Sequence, residues 1–146
     1  MIRPARLDER RGLTELQRRA SLMWEEDRAA LLANPDAIDL PADQIAGGHV
    51  FVWTEAGEVL GFAVVLPRKD GDAELDGLFV EPEAWKRGIG RGLVDHGAEM
   101  AKARGCAALN VVANKRALGF YLRCGFLAHG EVATRFGMGV AMVRAL

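Results

Sequence analysis

Three glycines at alternate positions, Gly88, Gly90 and Gly92, follow directly on Lys86 and Arg87 and enclose Arg91. Behind them Ile89, Leu93, Val94, Met100 and Ala101 recur at helical spacing, so the glycines open a helix. The first amides of a helix have no partner within it and the dipole there is positive, which makes an anion site. Glycine costs a helix about 1 kcal/mol relative to alanine, so three in one first turn need a compensating reason. Close approach of phosphate oxygens to bare backbone is such a reason; a tight turn or close helix packing would account for one glycine alone. The familiar nucleotide fingerprints do not fit. There is no Gly-x-x-x-x-Gly-Lys-Ser/Thr, and Leu93 stands where a dinucleotide fold wants glycine.

The elements that must position this turn can be read in chain order. Ile2 to Leu7 is a short strand whose Pro4 suits a sheet edge. Leu13, Leu16, Ala20, Met23 and Trp24 repeat at three- and four-residue steps, predicting an amphipathic helix that keeps Arg11, Gln17, Arg18 and Arg28 towards water and is broken by Asn34-Pro35-Asp36. Glu25-Glu26-Asp27 reads as a solvated face of that helix, and residues 37–48 as a short second helix and a loop. Val50 to Trp53 and Val59 to Leu66 form an antiparallel hairpin through Thr54 to Glu58. Ala73 to Val80 is the next strand, closed by Pro82, and its alternation is lost near Gly77, where a bulge would fit. Gly105 ends the long helix, with Lys102 and Arg104 suiting its negative end. A strand from Ala107 to Val112 follows. Asn114 is a natural N-cap for a short helix running through Ala117, Phe120, Tyr121 and Leu122 to Gly125. Phe126 to Phe136 and Gly139 to Ala145 are two final strands around Gly137-Met138. Strands interleaved with helices, then a terminal hairpin, make an α/β fold with a mixed sheet.

Two motifs in this frame resemble those of the GCN5-related (GNAT) acyltransferases. Val80-Glu81-Pro82 leads into Trp85-Lys86-Arg87-Gly88-Ile89-Gly90, similar to that family's Gln/Arg-x-x-Gly-x-Gly/Ala after a strand and a Val-x-Pro step. Trp85 stands where Gln or Arg is usual, and Lys86 where the family often has glycine. Asn114, Ala117, Tyr121, Gly125 and Phe126 match the second signature in register. The resemblance runs from about His49 onward, and it implies a mostly antiparallel sheet with a splayed central strand pair flanked by helices.

The same resemblance implies an acetyl-CoA-dependent N-acetyltransferase that moves an acetyl group directly from the thioester to a primary amine of a small molecule or peptide. Acetyl-CoA would be held by Leu78, Phe79 and Val80, by Trp85, Lys86, Arg87, Gly88, Ile89, Gly90, Arg91 and Gly92, and by Asn110, Asn114, Ala117 and Tyr121. Tyr121, the chain's one tyrosine, would sit beside the sulfur and protonate the departing thiolate. Glu74, or failing it Asp76, would take the amine's proton, and a backbone N–H near Val80 would polarise the carbonyl. Residues 34–48 and the last hairpin would wall the acceptor. A non-enzymatic acyl-CoA-binding or regulatory module with the same fold, and a structural subunit, are the competing readings.

Composition bounds these readings. The chain has 146 residues, 50% hydrophobic and 27% charged, as expected of one domain over residues 1–146 with a real core. Nineteen Lys and Arg against twenty Asp and Glu give a net charge of −1, so phosphate binding must be local, and neither nucleic acid nor an anionic membrane is an expected partner. The charged opening, MIRPARLDERR, and the absence of a long apolar run point to a cytoplasmic protein. Cys106 and Cys124 read as free thiols, and His49, His96 and His129 lack a ligand pair, so no metal is expected. Trp24, Trp53 and Phe62 read as core or pocket wall. The apolar tail from Gly139 to Leu146 leaves a homodimer open beside a monomer.

Overall fold

The computed structural model describes residues 1–135 and 137–146, and of Glu25 and Glu26 the backbone alone. In chain order the elements are β1 (Ile2–Pro4), α1 (Arg10–Leu22), α2 (Glu25–Ala33), α3 (Ala42–Ala46), β2 (Val50–Glu55), β3 (Glu58–Pro67), β4 (Ala73–Val80), α4 (Ile89–Ala103), β5 (Ala108–Ala113), α5 (Leu118–Arg123), β6 (Leu127–Thr134) and β7 (Gly137–Ala145). Among the described residues the strands form one sheet in the order β1-β2-β3-β4-β5-β7-β6. The β1–β2, β2–β3, β5–β7 and β6–β7 pairs are antiparallel and β4–β5 is parallel, the mixed, mostly antiparallel sheet the sequence implied. None of the described helices is long and apolar enough to cross a membrane.

The chain resolves into two compact units, Met1–Val64 with Gly77–Leu93, and Val65–Asp76 with Val94–Leu146. In the first, β1 lies at the sheet edge against β2, where the missing N–H of Pro4 costs no ladder bond. Its core gathers Leu13, Leu16 and Ala20 from α1 with Val50, Phe51 and Val52 of β2 and Phe62, Ala63 and Val64 of β3, all buried. Each large side chain here contributes about 1.5–3 kcal/mol on leaving water. The single long helix expected up to Asn34 is in fact two. Trp24 leaves the helical region at φ −86°, ψ 106°, its ring stacks on Trp85 at 5.5 Å, and Met23 ends exposed rather than in the core. Helical spacing runs through Met23 and Trp24 alike, so periodicity alone does not mark this break.

In the second unit β5 is the frame. Its whole length pairs with β7, from Ala108↔Ala145 to Ala113↔Val140. Its ladder with β4 comprises two pairs, Ala73↔Leu109 and Glu74↔Asn110. Asp72 Oδ1 fixes this start by accepting from the Ala107 and Ala108 amides at 2.9 and 3.1 Å. At the other end of the chain, Gly137 and Met138 are strand residues of β7 rather than a turn. Phe136, expected to end the preceding strand, lies outside the described residues.

Candidate functional site

The glycine turn is built within the first unit. Lys86 and Gly88 both adopt left-handed backbone, at φ 67° and 83°, with Arg87 between them. Alternation of this kind curls successive N–H groups into a concavity that suits an anion. Gly92 is the first residue here, among those described, whose amide reaches a backbone acceptor, Gly88 O at 3.0 Å. The amides before it in the turn are, among the described residues, without a backbone acceptor, as at a helix start. Phosphate approach is not the reason for every glycine, however. A β-carbon on Gly92 would lie 2.5 Å from Trp53 Cζ3, so that position answers to helix-on-strand packing, and Gly88 answers to its φ. Arg87 also differs from expectation, because its guanidinium already holds Glu55 at 2.9 and 2.6 Å. Lys86 and Arg91 are exposed.

The end of β4 leads into this turn. Burial along β4 alternates through Asp76, then stops: Gly77, Leu78, Phe79 and Val80 are all half-buried, an unusual state for three consecutive apolar strand residues. Phe79 leans on Phe62 at 5.3 Å, which makes it wall. The Glu81 N–H donates to Leu60 O of β3 at 2.8 Å, so with period-two alternation the N–H and C=O groups of Leu78 and Val80 point to the edge away from β3. Trp85 Nε1–H donates to Val80 O at 2.8 Å.

In the second unit the short helix α5 carries the other motif. Asn114 caps its approach, Oδ1 accepting from the Ala117 N–H at 3.0 Å, as the sequence predicts. Gly125, at φ 90°, ends it. The Phe126 amide donates to Tyr121 O and the Gly125 amide to Leu122 O, at 3.0 and 3.1 Å. This is the Schellman arrangement, in which the residue after the glycine packs on the residue three before the cap. Those two residues are Phe126 and Tyr121, edge to face at 5.5 Å, so the Tyr-x-x-x-Gly-Phe spacing is a helix-stop geometry that holds the tyrosine ring. Arg144 satisfies the leftover Cys124 carbonyl at 3.1 Å. Tyr121 is 8% exposed; burial first, then the neighbouring Cys124, pushes its phenol far above the ordinary value, so it keeps its proton at any working pH.

These features can be set beside known proteins. The profile of the Acetyltransferase (GNAT) family matches residues 12–126, more than half of the chain and both motifs. The chain belongs to the GNAT family. As a member of it, the protein is an acetyltransferase. Among solved structures it is similar to a GCN5-related N-acetyltransferase from Rhodopseudomonas palustris (23% identity, TM-score 0.78, covering 100% of this chain and 95% of that one). It is also similar to PaiA N-acetyltransferase from Thermoplasma acidophilum, solved with coenzyme A (16%, 0.81, 100% and 98%). An aminoglycoside 6′-N-acetyltransferase, also solved with coenzyme A, is comparable (16%, 0.76, 99% and 96%). At these identities the likeness is one of fold. No curated protein matches the sequence.

Glu74 and Asp76 share one face of β4, two residues apart. Glu74 is not free: Arg68 Nη1 holds its Oε1 at 3.2 Å, a partner that sequence reading missed because it lies six residues back across a turn. Asp76 has no hydrogen bond or ion pair among the described residues, stays in contact with solvent, and is nonetheless raised above the ordinary carboxylate pKa by desolvation. The Asn110 side chain donates to Ala73 O at 3.2 Å and so staples β5 to β4. Glu55 and Trp24, which engage Arg87 and Trp85, were likewise invisible in sequence, since strand register and a helix break decide both contacts.

Proposed function

We propose that this GNAT acetyltransferase binds acetyl-CoA and transfers the acetyl group directly to a primary amine of a small molecule or peptide. The observation that carries this is the turn at residues 86–92, whose curled amides before Gly92 are, among the described residues, without a backbone acceptor. A diphosphate fits that donor set, because it presents several anionic acceptors to several neutral donors at a positive helix end. Lys86 to Arg91 would hold it by backbone; Leu78 would hold the pantetheine amides along the open edge of β4, as an added strand does. Asn110, Asn114 and Ala117 would flank the arm, Asn114 through the amide nitrogen that its cap leaves over. When bound, the thioester supplies the acetyl group and the leaving sulfur.

The chain's own residues then have separable tasks. Tyr121 holds a proton that the departing sulfur can take up, and burial ensures that the proton is there. The Val80 N–H would stabilise negative charge on the carbonyl oxygen. A carboxylate of β4 would relieve the acceptor ammonium of its proton, and Asp76 is the better placed, being unpaired and raised towards the working pH, with Glu74 as the alternative. The test is release of free thiol from acetyl-CoA in the presence of a panel holding an aminoglycoside, a polyamine, an amino acid and a peptide. Amine-dependent release with a matching mass gain on one amine is expected; equal release with and without every amine would contradict the reading.

A further inference from the structure

We propose that Trp85 is a positioning residue for the acyl donor, that it acts through the Val80 peptide, and that the property required at this position is a side-chain N–H donor. The proposal rests on the reading of the adjoining turn as the diphosphate site. The peptide unit joining Val80 to Glu81 is bonded at both ends. Its carbonyl accepts from Trp85 Nε1–H at 2.8 Å, and its N–H donates to Leu60 O at 2.8 Å. The Glu81 side chain is itself tied to Arg19 at 2.7 Å. A peptide so held cannot rotate, and Val80 is where the half-buried end of β4 passes into the turn. The Val80 carbonyl, and with it the strand end that leads into the turn, is therefore held by an indole.

Tryptophan at position 85 looks like a departure from Gln or Arg, yet all three share a side-chain N–H that reaches several ångströms from the backbone. A donor is what the geometry uses here. The ring is held in the required plane by Trp24, whose indole stacks on it at 5.5 Å and 22°. Trp24 can lie there because α1 stops at Leu22 and the chain turns to extended backbone before α2. The helix break that periodicity does not reveal thus serves the strand end.

A single net hydrogen bond corresponds to about a two- to tenfold change in affinity. Titration of CoA into the wild type, Trp85→Phe, Trp85→Gln and Trp24→Leu, with steady-state rates and melting temperatures alongside, tests the proposal. Trp85→Phe should weaken CoA binding and raise KM for acetyl-CoA by about five- to tenfold with kcat held. Trp85→Gln, which restores a donor without the ring, should return to within about twofold of the wild type, and Trp24→Leu should fall between them. Wild-type affinity in Trp85→Phe, or a folded Trp85→Gln that binds no better than Trp85→Phe, would overturn it. If Trp85→Phe does not fold, the Gln variant decides: a folded Gln variant that has lost CoA binding also overturns the proposal. A wild-type protein that fails to bind CoA would instead remove the diphosphate reading beneath it.

Discussion

Tyr121→Phe is expected to lower turnover by about 10²-fold or more while leaving CoA affinity and melting temperature close to the wild type. The substitution keeps the ring, and with it the edge-to-face contacts to Phe120 and Phe126 at 5.0 and 5.5 Å. What it removes is a proton that burial keeps on the phenol well beyond neutral pH. A hydroxyl that only packs would be worth about 1 kcal/mol of stability and little rate, so the two roles separate cleanly. Because the folded-state value is raised, Tyr121 should add no basic limb to the wild-type pH profile below about pH 10, the ordinary tyrosine value. Normal turnover in the variant with its best amine would show that Tyr121 is a core residue or that water supplies the proton.

The second large effect is expected at Asp76. Asp76→Asn should lower kcat/KM at neutral pH by about 10²–10⁴-fold and abolish the acid limb of the pH profile, whereas Glu74→Gln should keep that limb. Desolvation raises Asp76, so the limb should lie above the usual carboxylate range. The sign of the stability effect follows. A carboxyl whose pKa is raised on folding contributes fully below its unfolded value, and that contribution is lost as pH rises through the folded value. At neutral pH the ionised Asp76 therefore works against folding, and Asp76→Asn should be no less stable than the wild type there. An unchanged profile in Asp76→Asn with the limb lost in Glu74→Gln would assign the base to Glu74, freed of Arg68 during turnover.

Much of this architecture is legible in the chain because local signals decide it. Ala73 to Val80 is a strand as read, Asn114 is a cap as read, and Gly125 stops α5 as read; each rests on a residue type with one strong backbone preference. The parts that are not legible depend on contacts distant in sequence. Nothing local ends α1 at Leu22, because the decisive contact is with Trp85, sixty-odd positions on. Gly92 reads in sequence as one more phosphate-cradling glycine, and only the Trp53 ring, 2.5 Å from where its β-carbon would stand, marks it as a packing glycine. The division into two units is hidden for a similar reason: β3, β4 and α4 each run from one into the other, so no linker composition marks a boundary. Count and position place Arg87 beside the glycines but cannot show that Glu55 already engages it.

The claim on which the rest depends is that the glycine turn holds the diphosphate of CoA, and calorimetric titration of CoA into the wild type and Gly90→Val measures it most directly. A β-branched side chain at Gly90 would stand among the amides of the first turn of α4, so binding should weaken by at least about 10²-fold, the loss of two or more charge-assisted hydrogen bonds, in a variant whose far-ultraviolet circular dichroism still shows the native fold. Equal CoA affinity in wild type and folded Gly90→Val would contradict the account.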